Sequence, residues 1–298
     1  MKPTVDRALE ALGGEGPVCA ITAGWQEREA EIEALQESIS RDVVNLLLHR
    51  RGDQVFQEDR DLFQAHRQRQ NRLRELQSLY RLRLSLVLKA ARQLMRRDGD
   101  PDLIAPERRA AIESVRTLDR HHLRRIREIH AAFEDRWHCS RRASVDRHRS
   151  QLAEILAASA ALLVAGGHVA VLLNRLRLFE LGALMVGKPL IAWSAGAMAL
   201  SERIVLFHDS PPQGRGDPEI LETGLAVFKG VLPLPHARRR LRLDDPVRVS
   251  LFASRFRPCR CVALDEGASL RWNGSDWSAG PGTRCLGEDG KVYEMGVK

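Results

Sequence analysis

The 298-residue sequence has no disulfide framework, few aromatic residues and no long apolar run. Its five cysteines, Cys19, Cys139, Cys259, Cys261 and Cys285, are an odd and scattered set. That spacing matches neither a stapled extracellular scaffold nor a zinc site, and it favours a reducing cytoplasm. Cys259-Arg-Cys261 alone offers two metal ligands without companions, so no metal is expected. Aromatic residues make up 5%, which is poor in the stacking platforms that single-stranded nucleic acid needs. No stretch approaches the ~18 apolar residues that span a bilayer, and no membrane contact is expected. The opening MKPTVDRALEALGGEG lacks the apolar centre of a signal peptide.

What is present describes a globular protein. Hydrophobic residues supply 44% and charged residues 29%, ordinary values for a chain with a full core. The length fits one or two domains. Lys and Arg number 47 against 39 Asp and Glu, a net charge of +8. Such an excess permits an anionic partner without requiring one. Over residues 26–160 the count is 27 basic against 22 acidic, with the signs interspersed. Interspersion predicts a solvated, ion-paired helical face rather than a phosphate-binding stripe, and so argues against nucleic acid.

Three segments follow in order. Residues 1–25 hold an isolated apolar run, PVCAITAGW, read as a buried strand and turn. Residues 26–159 are poor in Gly and Pro and read as a helical, coiled-coil-like module. Helices are expected over about Gln26–Arg50 and Asp53–Arg97, with another beginning after Pro106. The apolar positions Leu73, Leu76, Tyr80, Leu84, Val87 and Ala91 step by three and four, as a packed helix requires. Residues 160–298 return to short apolar runs with turns. ALLVAGG, an amphipathic helix and KPLIAWSAGAMAL form a βαβ unit, hence a parallel sheet. Further on, VRVSLFAS, RCVALDE, SLRWNG and KVYEMGV read as short strands closing a β-rich end. The fold class expected is therefore α/β.

The most informative stretch is Ile191-Ala192-Trp193-Ser194-Ala195-Gly196-Ala197-Met198. A strand ends, a serine follows, and small residues open a helix, which is the logic of a nucleophile elbow. The strict Gly-x-Ser-x-Gly form is not met, because Ala192 occupies the first glycine position. Ala165-Gly166-Gly167-His168 ends the preceding strand of the same unit. Adjacent parallel strands end at one crevice, and a Gly-Gly turn there lets backbone N–H groups approach a substrate oxygen.

The run ALLVAGGHVAVLLNRLRLFELGALMVGKPLIAWSAGAMAL resembles the peptidase E and cyanophycinase family of serine peptidases. The resemblance implies a class I glutamine amidotransferase-like, flavodoxin-like core, here interrupted by a large helical insertion. It implies Ser194 as nucleophile, with the N–H groups of Gly167 and Ala195 as oxyanion hole. LPLPHARRRLRLDD resembles the family's Asp-x-His-Phe-x-x-Arg-x-Arg segment. The match implies His236 as base, with Arg240 and Arg242 on the two arginine positions. Leu234 stands at the Asp position and Ala237 at the Phe position. His168 stands where the family carries Asn, and it is a candidate substrate contact together with Arg240 and Arg242.

A serine hydroxyl needs a base, and the base needs an orienting carboxylate. Asp209 is favoured for that role, with Glu219 and Glu222 as alternatives and His208 as an alternative base. The expected activity is hydrolysis of a peptide, isopeptide or related amide without any cofactor. Two other readings stand beside it. One is an inactive scaffold that binds a protein partner or self-associates through residues 26–159. The other is nucleic-acid binding through the arginine-rich helices.

Overall fold

The computed structural model describes residues 2–209 and 216–296. Its two units are residues 1–70 with 130–200, and residues 71–129 with 201–298. In chain order the first elements are helix α1 (Lys2–Leu12), strand β1 (Val18–Ile21), helix α2 (Glu33–Gln36), strand β2 (Val43–Asn45) and helix α3 (Leu48–Glu58). Two helices of 37 residues follow, α4 (Arg60–Arg96) and α5 (Pro101–Trp137). Then come α6 (Ala143–Ala158), β3 (Ala161–Val164), α7 (Val169–Leu178), α8 (Leu181–Leu184), β4 (Leu190–Ala192) and α9 (Ala195–Leu200).

The first unit is built on one parallel sheet of order β2-β1-β3-β4. Every residue of β1 and β3 is buried. Strands covered on both faces read as continuous apolar runs, which is why VCAI and ALLV show no alternation. On one face Val18, Ala20, Ala161 and Leu163 pack with Val5 and Leu9 of α1 and with Leu35 and Ile39. The parallel sheet, its surrounding helices and the long helices α4 and α5 make the chain an α/β protein with a flavodoxin-like core and a helical insertion.

Two expected elements of this region differ. No helix runs over 26–50: a short 3-10 turn (Ala23–Arg28) and α2 precede β2, whose Val43 and Val44 pair with Val18 and Cys19. β-branched side chains favour the extended edge position, and buried polar groups fix it. Asn45 accepts from the Thr22 hydroxyl (3.0 Å) and donates to the Glu29 carbonyl (2.7 Å). The buried Glu29 carboxylate accepts from the N–H groups of His49 and Arg50 and so caps α3. Further along, α5 starts at Pro101 rather than after Pro106. Asp100 precedes a proline at the first helical position and accepts the Asp102 N–H on its side chain. Pro106 lies one turn in, where its missing N–H costs a single helical bond.

The second unit contains β5 (Arg203–Leu206), β6 (Glu219–Thr223), β7 (Val231–Pro235), α10 (Ala237–Arg240), α11 (Pro246–Phe256) and β8 (Arg260–Leu264). Four short strands complete it: β9 (Leu270–Trp272), β10 (Trp277–Ala279), β11 (Arg284–Leu286) and β12 (Val292–Glu294). Its largest sheet has order β12-β11-β8-β7, with β7 and β8 parallel. VRVSLFAS, expected to be a strand, lies in α11. Asp245 accepts from the N–H groups of Val247 and Arg248 (both 3.1 Å), Pro246 takes the first turn, and Val249, Phe252, Ala253 and Phe256 share one buried face.

A buried polar group ties four elements of this unit together. Arg255 of α11 donates to both carboxylate oxygens of Asp119 of α5 (2.6 and 2.8 Å), to the Pro218 carbonyl and to the Tyr80 hydroxyl of α4. Tyr80 donates to Asp119 (2.7 Å) and accepts from the Ile220 N–H of β6. Its ring stacks on His122 at 3.9 Å. The charges survive burial because they are paired and their remaining valences are satisfied.

Candidate active site

In the first unit β3 and β4 end side by side, with Val164 opposite Ala192. Trp193 still donates to the Val164 carbonyl (3.2 Å), and then the chain turns. Ser194 has φ 51°, the left-handed region that a side-chain-bearing residue avoids. α9 begins at the next residue. A serine held in that conformation between a parallel strand and a helix is the strained elbow that lifts its hydroxyl clear of the backbone.

The glycine turn after β3 lies against this elbow. A Cβ on Gly166 would stand 2.8 Å from Ser194 Cβ, 3.0 Å from its Oγ and 3.3 Å from the Ala195 nitrogen. Only a glycine admits the elbow at that range. Gly167 follows with φ 100°. The turn is anchored from behind, where the His168 N–H donates to the Gly24 carbonyl (2.7 Å). Ser194, Ala195, Gly167 and His168 thus all belong to the first unit. His168 caps α7, its Nδ1 accepting the Val171 N–H at 3.3 Å. Gly166 was not among the expected site residues; the doubled glycine in the sequence was its signal.

His236, Asp209, Arg240 and Arg242 belong to the second unit. β7 runs parallel to β8 with Pro235 opposite Leu264, so His236 and Asp265 follow at neighbouring strand ends. The His236 N–H donates to the Leu264 carbonyl (3.0 Å), and its φ of 57° lies in the left-handed region. Burial pushes the His236 imidazole below its usual pKa; the Arg240 charge adds to the shift and the Asp265 carboxylate opposes it. The imidazole is therefore neutral at neutral pH, the form in which it accepts a proton.

Asp265 has its own supports. It accepts from the Arg238 N–H (2.9 Å) and from the Arg284 guanidinium (2.9 Å). Sequence reading did not single it out, because the register of two parallel strands is a tertiary fact. Asp209, the carboxylate favoured from sequence, is buried and occupied. Both its oxygens take donors from Arg248, and one also accepts the Arg242 N–H at 3.1 Å. Its own N–H donates to the Arg240 carbonyl (2.7 Å). Asp209 thus holds the chain segment that carries both arginines. Glu219 is paired with Arg81, and Glu222 accepts from Thr223.

Burial lowers the Arg240 pKa, with the Arg239 charge adding to it. The guanidinium stays protonated at any working pH all the same. Arg242 is exposed at the start of the segment leading to α11. No helix among the described residues is long and apolar enough to cross a membrane.

No curated protein matches the chain. The model of peptidase family S51 matches residues 119–279, more than half of the chain and a span that contains the glycine turn, the serine elbow, His236 and Asp265. With that match added to the elbow and its α/β core, the chain belongs to peptidase family S51, the peptidase E and cyanophycinase-like family.

Proposed function

We propose that the chain is a serine hydrolase that cleaves a peptide, isopeptide or related amide bond. Ser194 Oγ attacks the carbonyl carbon while His236 takes its proton. The N–H groups of Gly167 and Ala195 receive the oxyanion, which forms where fixed donors stabilise it most. His236 then protonates the leaving amine, and water releases the acyl group by the same route in reverse. Asp265 is the carboxylate that orients His236, in place of Asp209. Arg240 and Arg242 recognise a carboxylate on the substrate, since a guanidinium pairs with it through two parallel hydrogen bonds; His168 lies beside the oxyanion turn. The reaction uses no cofactor. The five cysteines are all free thiols, which fits a cytoplasmic protein.

The observation that carries this reading is Ser194 at φ 51°, with Gly166 against its hydroxyl, in a member of a serine peptidase family. The test is covalent labelling with a fluorophosphonate, read by peptide mass spectrometry. Labelling at Ser194 that disappears in Ser194→Ala and His236→Ala is the expected result. An unlabelled Ser194 in folded protein removes the hydrolase reading and leaves the binding scaffold.

A further inference from the structure

The inner face of α4 in the second unit buries Gln77, Tyr80, Leu84, Leu88 and Ala91. Its outer face carries a feature the proposed hydrolysis does not use. Leu79, Leu82 and Leu86 are 58, 66 and 65% exposed. Spaced by three and four, they form one stripe. A contiguous apolar stripe on an otherwise charged helix marks an interaction surface.

The stripe's flanks identify the partner. Along the same strip lie Asn71 and Glu75 before the leucines, and Lys89 and Gln93 after them, all exposed. Read from either end about Leu82, the strip is complementary to itself. A second α4 laid antiparallel places Leu82 on Leu82, Leu79 on Leu86, Glu75 on Lys89 and Asn71 on Gln93. Each cross-pair occurs twice, as a two-fold axis requires. The strip is about 33 Å long at the helical rise. From Glu75 to Gln93 the spacings alternate between four and three, as they do along a helix seam. Charge balance speaks against a polyanion on this strip, because Glu75 offsets Lys89. Arg81, Arg92 and Arg96 beside it are committed to Glu219, Asp217 and Asp245.

We propose that the chain forms a two-fold dimer through an antiparallel pairing of α4 helices centred on Leu82. Three leucines per copy make a small seam, so the dimer is a reversible, concentration-dependent one.

Sedimentation velocity of the full chain across micromolar concentrations tests this. The expected result is a monomer–dimer equilibrium that Leu82→Glu shifts to monomer, with thermal unfolding unchanged at concentrations where both proteins are monomeric, because the site is exposed. Glu75→Lys and Lys89→Glu each weaken the dimer about tenfold, since each turns two attractions into repulsions. The double exchange restores it. Leu82→Cys, oxidised beside the unaltered chain, gains a disulfide-linked dimer through position 82. A chain that stays monomeric to 100 μM, a dimer indifferent to Leu82→Glu, or a double exchange that restores nothing overturns the proposal. Leucine-dependent binding to phosphatidylserine vesicles by a monomer overturns it as well.

Discussion

Gly166→Ala is the sharpest test of the elbow. The new Cβ would stand 2.8 Å from Ser194 Cβ, while ordinary contact begins near 3.4 Å. The elbow must retreat by about 0.6 Å, and it has little freedom to do so. Ser194 is already in the left-handed region, and Trp193 on one side and Gly196 on the other are held by backbone hydrogen bonds. The added carbon also sits 3.0 Å from Ser194 Oγ and 3.3 Å from the Ala195 nitrogen, so it crowds the proposed nucleophile and a proposed oxyanion donor together. Misplacing a reacting group by about 1 Å costs roughly 100-fold in rate. A shift of this size with added crowding is expected to slow fluorophosphonate labelling of Ser194 by about 10- to 100-fold. The assay is the second-order labelling rate at pH 7.5, with circular dichroism confirming the fold. A Gly166→Ala protein that folds and labels within twofold of the parent would refute the geometry.

Asp119→Ala strands the buried Arg255 guanidinium and should cost about 3–5 kcal/mol, whereas Arg81→Ala at the exposed pair with Glu219 should cost about 0–1 kcal/mol; urea unfolding separates the two, and equal losses would count against the buried network. The labelling rate should fall on the acid side with a midpoint below 6.5, because His236 must be neutral. Arg240→Gln removes a charge that lowers the His236 pKa and moves the limb to higher pH, while Asp265→Asn removes an opposing carboxylate and moves it lower; a limb that stays in place in both variants would exclude these two groups as its tuners. His66, against Phe56 and Phe133, is lowered to about 3 by burial, with Arg69 next in effect. The unfolded chain then binds the extra proton between about pH 6.5 and 3, so stability present above 6.5 is lost as pH falls through that window. His66→Phe should flatten this loss in pH-dependent urea midpoints, and an unchanged slope would contradict it.

The parallel strands, the glycine turn and the serine elbow were legible in the sequence because they are local. Ala161 to Leu200 contains both strand ends and both turns, and strand-to-helix changes show as changes of period. Val43-Val44-Asn45 was not legible, since a three-residue edge strand amid charged residues has no period of its own. VRVSLFAS misled through its alternation, although Asp245-Pro246 before it is a helix-start signal. Asp265 was hidden for a deeper reason. It comes to the strand end beside His236 only through the β7–β8 register, and nothing at 265 betrays which strand end lies beside it. Asp209 stood out by its nearness in sequence to the elbow; its carboxylate takes donors from Arg248, a contact no local pattern announces.

The pairing of Val18–Ile21 with Ala161–Val164 sets a condition on the birth of this protein. Neighbours in the sheet are made 143 residues apart, Val18 opposite Ala161. At about 5–20 residues per second, the ribosome needs roughly 7–30 s to deliver the second strand after the first. Through that interval β1 has only the three-residue β2 beside it, and its other edge offers bare N–H and C=O groups to any passing strand. The helices made in between fold from local contacts in far less time. The Ser194 elbow is made later still, so the nascent chain carries an unguarded apolar edge before the elbow exists.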